Sequence, residues 1–384
     1  MLRFLSAILI LIAASMTATA EPRLVEGTLG GVPYQISEPD KWNGGLVIYA
    51  HGYEGGGLGI GTVAAPAIDQ HTTRQGYAWA ASGFRAKNYR PDWYLEDTLA
   101  LRDYFIRTHG QPRWTIIYGQ SMGGHVAVAA LELHPEVFQG ALIECGVVDG
   151  MTLFDWRYAY AAAAEYFSGL PILDTSQSVF ETLKFSRIFN FLMGTPGDYT
   201  YYGKRFDNVI KHLAGGDLPY RLEGLKDKYA FNISPNSRSY GPEGNVDTRS
   251  THFEIDPGFD LDEATLNRQV RRAILAEGTR SRQDNPVFAE FTGEIRVPVL
   301  TLHETGDFRV PFRQEQDFRR RTIAAGTSRL LVQRAQRKAG HCEFQGDIRK
   351  SAFDDLVAWI ESGKIPSGDD VLGDPRNLGL RSTP

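Results

Sequence analysis

The chain has 384 residues, 42% hydrophobic and 23% charged, with a formal net charge of −5. That ordinary globular composition excludes a low-complexity or collagenous chain and allows two or three domains, or one large α/β domain with an insertion. No Lys/Arg block stands out, since Arg319-Arg320-Arg321 reads as a solvated helix face, so no nucleic-acid partner is expected.

Residues 1–20 read as a secretory leader. Arg3 supplies a positive start, residues 4–14 an apolar stretch too short for a membrane span, and Ala18-Thr19-Ala20 a small-x-small cleavage site. The expected mature chain begins at Glu21 and is secreted or periplasmic. No later run of about 18 or more apolar residues follows, so no membrane span is expected in it.

Residues 23–37 read as an antiparallel hairpin around Gly30-Gly31. The continuous apolar run 46–50 predicts a strand buried on both faces, and 77–81 a second. Residues 92–108 carry an apolar stripe of helical spacing through Leu95, Leu99, Phe105 and Ile106. Strands are expected at 114–118, 141–145, 297–302 and 330–332. A last amphipathic helix is marked by Phe353, Leu356, Val357 and Ile360. Strands alternating with helices predict an α/β fold with a mainly parallel central sheet and helices on both faces. The expected core is 21–149 and 298–363. The alternation breaks between them, so 150–297 reads as an inserted, mostly helical and aromatic-rich cap. Residues 364–384 lack periodicity and read as a surface coil.

The most informative stretch is Gly119-Gln120-Ser121-Met122-Gly123. It matches G-x-S-x-G and sits between a strand pattern and a small-residue helix pattern, the context that lifts a serine hydroxyl above a sheet edge. Ser121 needs a base and a group to orient that base. His341, in Gly340-His341-Cys342 after the last strand, is the candidate base. His125, His134 and His303 have packing explanations. The acid is expected after a strand between Ser121 and His341. Asp307, in Gly306-Asp307-Phe308-Arg309-Val310-Pro311, is preferred; Asp149 is the rival and Glu304 a weaker third. The backbone N–H of Met122 and that of Tyr53, in the glycine-rich run 51–57, are the candidate oxyanion donors.

His51-Gly52, the Gly119–Gly123 elbow, Gly306-Asp307 and Gly340-His341, in that order, resemble the α/β-hydrolase superfamily. The resemblance covers most of the chain outside the aromatic insertion and the tail. It implies eight strands and a cap over the active site. The expected activity is cleavage of a carboxylic ester, from a small molecule or a polymer, through an acyl-enzyme. No metal or other cofactor is expected. Amide or peptide cleavage by the same residues is the alternative, and a catalytically silent binding protein a third reading. Trp156 and Tyr160 are the candidate substrate contacts in the cap, whose other aromatics read mainly as core. The two cysteines, Cys145 and Cys342, form no metal or redox motif. In the resembled fold the histidine loop passes over the strand that Cys145 ends, so a bridge to Cys342 is one expectation and two separate thiols the other. A Cα separation under about 7 Å is required for the bridge.

Overall fold

The computed structural model describes residues 21–56, 59–226, 228–235, 245–277 and 279–380. The expected leader and Gly57 of the glycine-rich run lie outside them. The chain opens with a hairpin, β1 (Arg23–Leu29) and β2 (Val32–Glu38). Its turn places Gly30 and Gly31 at φ 58° and 86°. Two successive positive φ values suit the twist of a tight hairpin, and glycine reaches them without a Cβ clash.

The core then alternates: β3 (Gly45–Ala50), α1 (Asp69–Arg74), β4 (Ala78–Ser82), α2 (Pro91–His109), β5 (Trp114–Gln120), α3 (Met122–Leu133) and β6 (Gly140–Glu144). Pro91 opens α2, where a missing N–H costs nothing. The cap follows, with α4 (Thr152–Ser168), α5 (Gln177–Thr182), α6 (Phe185–Met193), a two-residue ladder, α7 (Tyr201–Ala214), α8 (Arg221–Lys226) and α9 (Glu263–Gln269). The core resumes with β7 (Val299–Gly306), α10 (Arg313–Ala324), β8 (Leu331–Ala339) and α11 (Gly346–Ser362).

The eight core strands form one sheet in the order β1-β2-β4-β3-β5-β6-β7-β8. β1 and β2 are antiparallel, as are β2 and β4, and the other pairs are parallel. Alternate residues of each central strand feed opposite faces. Ile48, Ile117 and Ile143 join the cluster built with α2 and α3, whereas Val47, Tyr49, Ile116, Tyr118 and Leu142 join the one built with α11. Burying each such side chain contributes about 1.5–3 kcal/mol. The fold is therefore α/β with helices on both faces of a mainly parallel sheet. No helix among the described residues is long and apolar enough to cross a membrane.

The insertion shares its core with the body. Phe154, Tyr160, Phe189 and Phe206 belong to the same apolar cluster as Val126 and Ile143. Tyr160 and Phe206 meet edge-on at 5.2 Å, and Phe189 and Phe206 at 5.6 Å. Among its described residues the tail has no helix or strand beyond a single turn at Pro375–Asn377, yet it is pinned. Val371 and Leu378 pack with Phe312 and Ala335, and the Ala335 N–H donates to Asp369 at 2.9 Å.

His125 fastens the insertion to α3. Tyr89 Oη lies 2.9 Å from its Nδ1, and its Nε2 lies 2.8 Å from the Val287 carbonyl. With Nε2–H donated to the carbonyl, Nδ1 accepts from the Tyr89 hydroxyl. Burial pushes this imidazole down to about 4. The unfolded chain takes up the proton near 6.5, the native state only near 4, so this contribution is complete above 6.5 and lost as pH falls toward 4. Its size is on the order of 3 kcal/mol. Urea midpoints are expected to fall across pH 6.5 to 4, with a shallower slope in His125→Gln. An unchanged slope in the variant would assign the acid sensitivity elsewhere.

Candidate active site

Ser121 stands between β5 and α3 at φ 54° and ψ −116°. A non-glycine residue with positive φ is sterically costly and persists only where its surroundings hold it. Here Ser121 N–H donates to the Glu144 carbonyl at 3.0 Å, and its own carbonyl accepts from Gly124 at 2.9 Å and Val147 at 3.0 Å. Side chains are excluded on both sides of the turn. A Cβ on Gly119 would lie 2.3 Å from the Gly123 oxygen, and one on Gly123 only 1.9 Å from the Ala50 oxygen. The motif's glycines thus let strand, turn and helix touch.

The Ser121 hydroxyl lies 2.9 Å from His341 Nε2, and His341 Nδ1 lies 2.6 Å from Asp307 Oδ2. With Nδ1–H donated to the carboxylate, Nε2 accepts from the serine hydroxyl. Asp307 is buried, and its Oδ1 accepts the backbone N–H groups of Arg309 at 2.8 Å and Val310 at 3.1 Å. Three donors therefore fix one carboxylate at the end of β7. Beneath it, buried His303 lies 3.7 Å from Asp307 and 3.3 Å from Glu315, and donates to the Val310 carbonyl at 2.9 Å. Burial alone would lower His303, but Glu315, Asp307 and that carbonyl outweigh it and lift it to about 9. His303 thus sits between two carboxylates and supports the acid's turn.

The rival acid is engaged elsewhere. Asp149 is buried and ion-paired with Arg321, with Nη2 at 3.4 Å and Nε closer. Burial raises it to about 7, against the pull of Arg321. Glu304 accepts the backbone N–H of Glu343 at 2.6 Å, so it steadies the histidine loop. The loop has two further ties. Cys145 and Cys342 are joined by a disulfide with a Cα separation of 5.3 Å. Arg349 on α11 donates to Glu144 at 2.9 Å and to the Cys342 carbonyl at 2.8 Å, and also holds the Phe344 carbonyl. Sequence reasoning passed over Glu144 and Arg349. A lone glutamate in an apolar strand, Ile143-Glu144-Cys145, was the available signal, because a buried charge needs a partner.

A cavity of about 150 Å³ adjoins the serine. Tyr53 and Met122 line it with Ser121 and His341, together with Leu153, Phe154, Arg157, Phe231 and Arg309. Gly52 lets the Tyr53 loop come this close, since a Cβ there would lie 3.1 Å from Ser121 Cβ. His51 supports the loop from behind, its ring 4.6 Å from that of Phe84 and lowered by burial. Trp156 and Tyr160 are not on the cavity wall, which corrects the expectation that they contact substrate. Tyr160 is fully buried and donates to the Tyr229 carbonyl at 3.1 Å. Trp156 packs against Tyr160 and Phe308. Helical geometry turns Leu153, Phe154 and Arg157 toward the cavity instead, three and four residues apart on one face. A larger cleft of about 720 Å³, lined by Asp149, Asp155, Arg280 and Arg321, contains none of Ser121, Asp307 and His341.

Opening the disulfide, by reductant or by Cys342→Ser, is expected to cost about 2–4 kcal/mol of stability. It is also expected to lower turnover, because one anchor of the histidine loop is lost. Thermal melts and initial rates with and without reductant measure both; a rate unchanged after complete reduction would show that the remaining ties suffice. Asp307→Asn is expected to cut kcat by about 10⁴-fold. Asp149→Asn should instead lower the melting temperature, and a reversed pattern would restore Asp149 as the acid.

A model of the prolyl oligopeptidase family matches residues 63–190, which include Ser121 but not Asp307 or His341. An o-phthalyl amidase from Xanthobacter agilis is 22% identical over 92% of this chain and 91% of its own. Among solved structures, an acylaminoacyl peptidase from Pyrococcus horikoshii aligns with 93% of this chain at 13% identity and a TM-score of 0.47. This chain covers only 44% of that peptidase. An esterase from Pyrococcus furiosus aligns with 88% of this chain and 90% of its own, at 14% identity and a TM-score of 0.44. The strand order, the serine on its turn after β5, and the acid and histidine following in sequence after β7 and β8 give the chain the α/β-hydrolase fold.

Proposed function

We propose that this protein is a secreted serine hydrolase that cleaves carboxylic esters of compact acyl groups. The observation that carries this reading is the hydrogen-bonded chain Ser121–His341–Asp307 beside a cavity of about 150 Å³. A void of that size encloses one ring-sized group. In this reading Ser121 Oγ attacks the carbonyl carbon while His341 Nε2 takes its proton. Asp307 holds the imidazole in one tautomer and stabilises the imidazolium. The carbonyl oxygen becomes an oxyanion facing the Tyr53 and Met122 N–H groups, each such donor worth about 3 kcal/mol of barrier. His341 returns the proton to the leaving oxygen, and the acyl group stays on Ser121. Water then repeats the sequence with His341 as base and frees the acid.

Export is part of the proposal, supported by the leader at 1–20 and by a disulfide, which persists in oxidising compartments. A second reading, amide cleavage by the same groups, is favoured by the similarity to the o-phthalyl amidase along nearly the whole chain. The triad does not separate the two bonds; pocket shape does.

A neutral fluorophosphonate is expected to label the protein once, at Ser121, and Ser121→Ala to be inert toward it. On 4-nitrophenyl esters, 4-nitroanilides and peptides, the expected result is turnover of esters with acyl groups up to about ring size. Steady cleavage of anilides with little esterase activity would select the amide reading, and labelling away from Ser121 would overturn both.

A further inference from the structure

His303 is a buried titratable group that the chemistry at Ser121 does not use, and its surroundings fix where its protons sit. It is 1% exposed, as is Glu315 on α10. Its Nε2 lies 2.9 Å from the Val310 carbonyl. A carbonyl only accepts, so Nε2 carries a hydrogen. Its Nδ1 lies 3.3 Å from Glu315 Oε1, and neither atom has a hydrogen-bond partner elsewhere among the described residues. Two lone pairs facing each other in a buried space would repel, and both would be left unsatisfied. One proton therefore belongs to this contact. The surroundings decide which side holds it. Glu315 Oε2 accepts from Thr301 Oγ1 at 2.6 Å and from Gln333 Nε2, and two donors favour the ionised carboxylate. Asp307 Oδ2, 3.7 Å from Nε2, favours a cation at His303.

We infer that His303 and Glu315 are a positioning pair that holds one buried proton behind Asp307 and so sets the lower pH limit of catalysis. This rests on the serine-hydrolase reading and deepens it. Asp307 Oδ2 stands between two imidazoles, His341 at 2.6 Å and His303 at 3.7 Å. A cation behind the carboxylate offsets part of its pull on a proton at His341. Glu315 carries the matching negative charge but meets the other ring nitrogen, so the pair presents its positive end to Asp307. Imidazolium formation at His341 is thereby disfavoured in the free enzyme, and Nε2 stays available as a base in more acidic solution. During attack the Asp307 carboxylate remains ionised and still stabilises the imidazolium. The charged groups facing His303 are Glu315 on α10 and Asp307 and Glu304 at the end of β7, with His341 beyond Asp307. Arg319, also on α10, acts on Glu315. Phe312 meets the His303 ring edge-on at 5.7 Å. Burial works against a cation here, and the two carboxylates with the Val310 carbonyl overcome it. The pair takes no part in bond making or breaking.

The first test reads the proton directly. In imidazole 1H–15N spectra at neutral pH, both ring nitrogens of His303 are expected to be protonated in the wild-type protein. The signals are assigned by their loss in His303→Gln or, where that variant does not fold, through backbone correlations. Glu315→Gln is nearly isosteric: its carbonyl can accept from Thr301 and Gln333, and its amide can donate to Nδ1. His303 should then carry a single proton. The second test follows kcat/KM for 4-nitrophenyl acetate against pH. In Glu315→Gln and in His303→Gln the acidic limb should move to higher pH by roughly half a unit to one unit. The plateau should stay far above that of Asp307→Asn. A singly protonated His303 in the wild-type protein, or a limb that keeps its place in both variants, would overturn the inference. So would variants that lose only plateau rate or melting temperature, the mark of a packing role. Neutral fluorophosphonate labelling runs beside each assay: labelling at Ser121 with an unmoved limb refutes the positioning pair alone, and absent labelling of the wild-type protein refutes the hydrolase reading beneath it.

Discussion

The site depends on one hydrogen bond, 2.9 Å long, between Ser121 and His341, residues 220 positions apart in the chain. A hydrogen bond weakens steeply with small errors in distance or angle, so both ends must be held to a few tenths of an ångström. The serine end is fixed by steric exclusion. Gly119 and Gly123 leave room for no other arrangement of β5, its turn and α3, and the positive φ of Ser121 follows from that compression. The histidine end sits on a loop with no regular structure, so it must be fixed by attachment. It is held by the disulfide to the end of β6, by Arg349 through its carbonyls, and by Glu304 through the Glu343 N–H.

Those attachments place charge where charge is costly. Glu144, Arg349, His303, Glu304 and Glu315 lie within or against the sheet, and an unpaired ion there would cost several kcal/mol. Each is tied to neighbours. Tyr118 donates to Glu144 at 2.6 Å, and Thr301 donates to Glu315 at 2.6 Å. Burial still raises Glu144, opposed by Arg349. Such networks add little net stability compared with apolar packing. They do make a single arrangement of the loops over the sheet better than its neighbours. That is the property a three-residue hydrogen-bonded chain needs.

The cap contributes a wall. Its aromatics are mostly consumed in joining α4, α6 and α7 to the body through one continuous core. One face of α4, with Leu153, Phe154 and Arg157, reaches the cavity together with Phe231. The result is a small chamber between the sheet edge and the helix.

Much of this was legible in the residues. The continuous apolar runs marked the parallel strands because a strand buried on both faces has no polar side. The Gly119–Gly123 motif between strand and helix patterns marked the turn, since only small residues fit there. The spacing of Gly306-Asp307 and Gly340-His341 after strand patterns marked the two loops that the fold brings to Ser121. Between Asp307 and Asp149, local sequence offered only a preference for Asp307 from its turn. Both follow strands, and only the packing of α10 places Arg321 against Asp149 and leaves Asp307 under the imidazole. Trp156 and Tyr160 were misplaced for a similar reason. Their chemistry suits a pocket, but which face of α4 meets the cavity is decided by how α7 packs behind it. The sequence by itself determined the elements and the short motifs, whose physics is local. Tertiary structure alone decided the partner of each buried charge, the joining of Cys145 to Cys342, and the meeting of Arg157 with Arg309, because those contacts join different elements, the last two across 197 and 152 residues of chain.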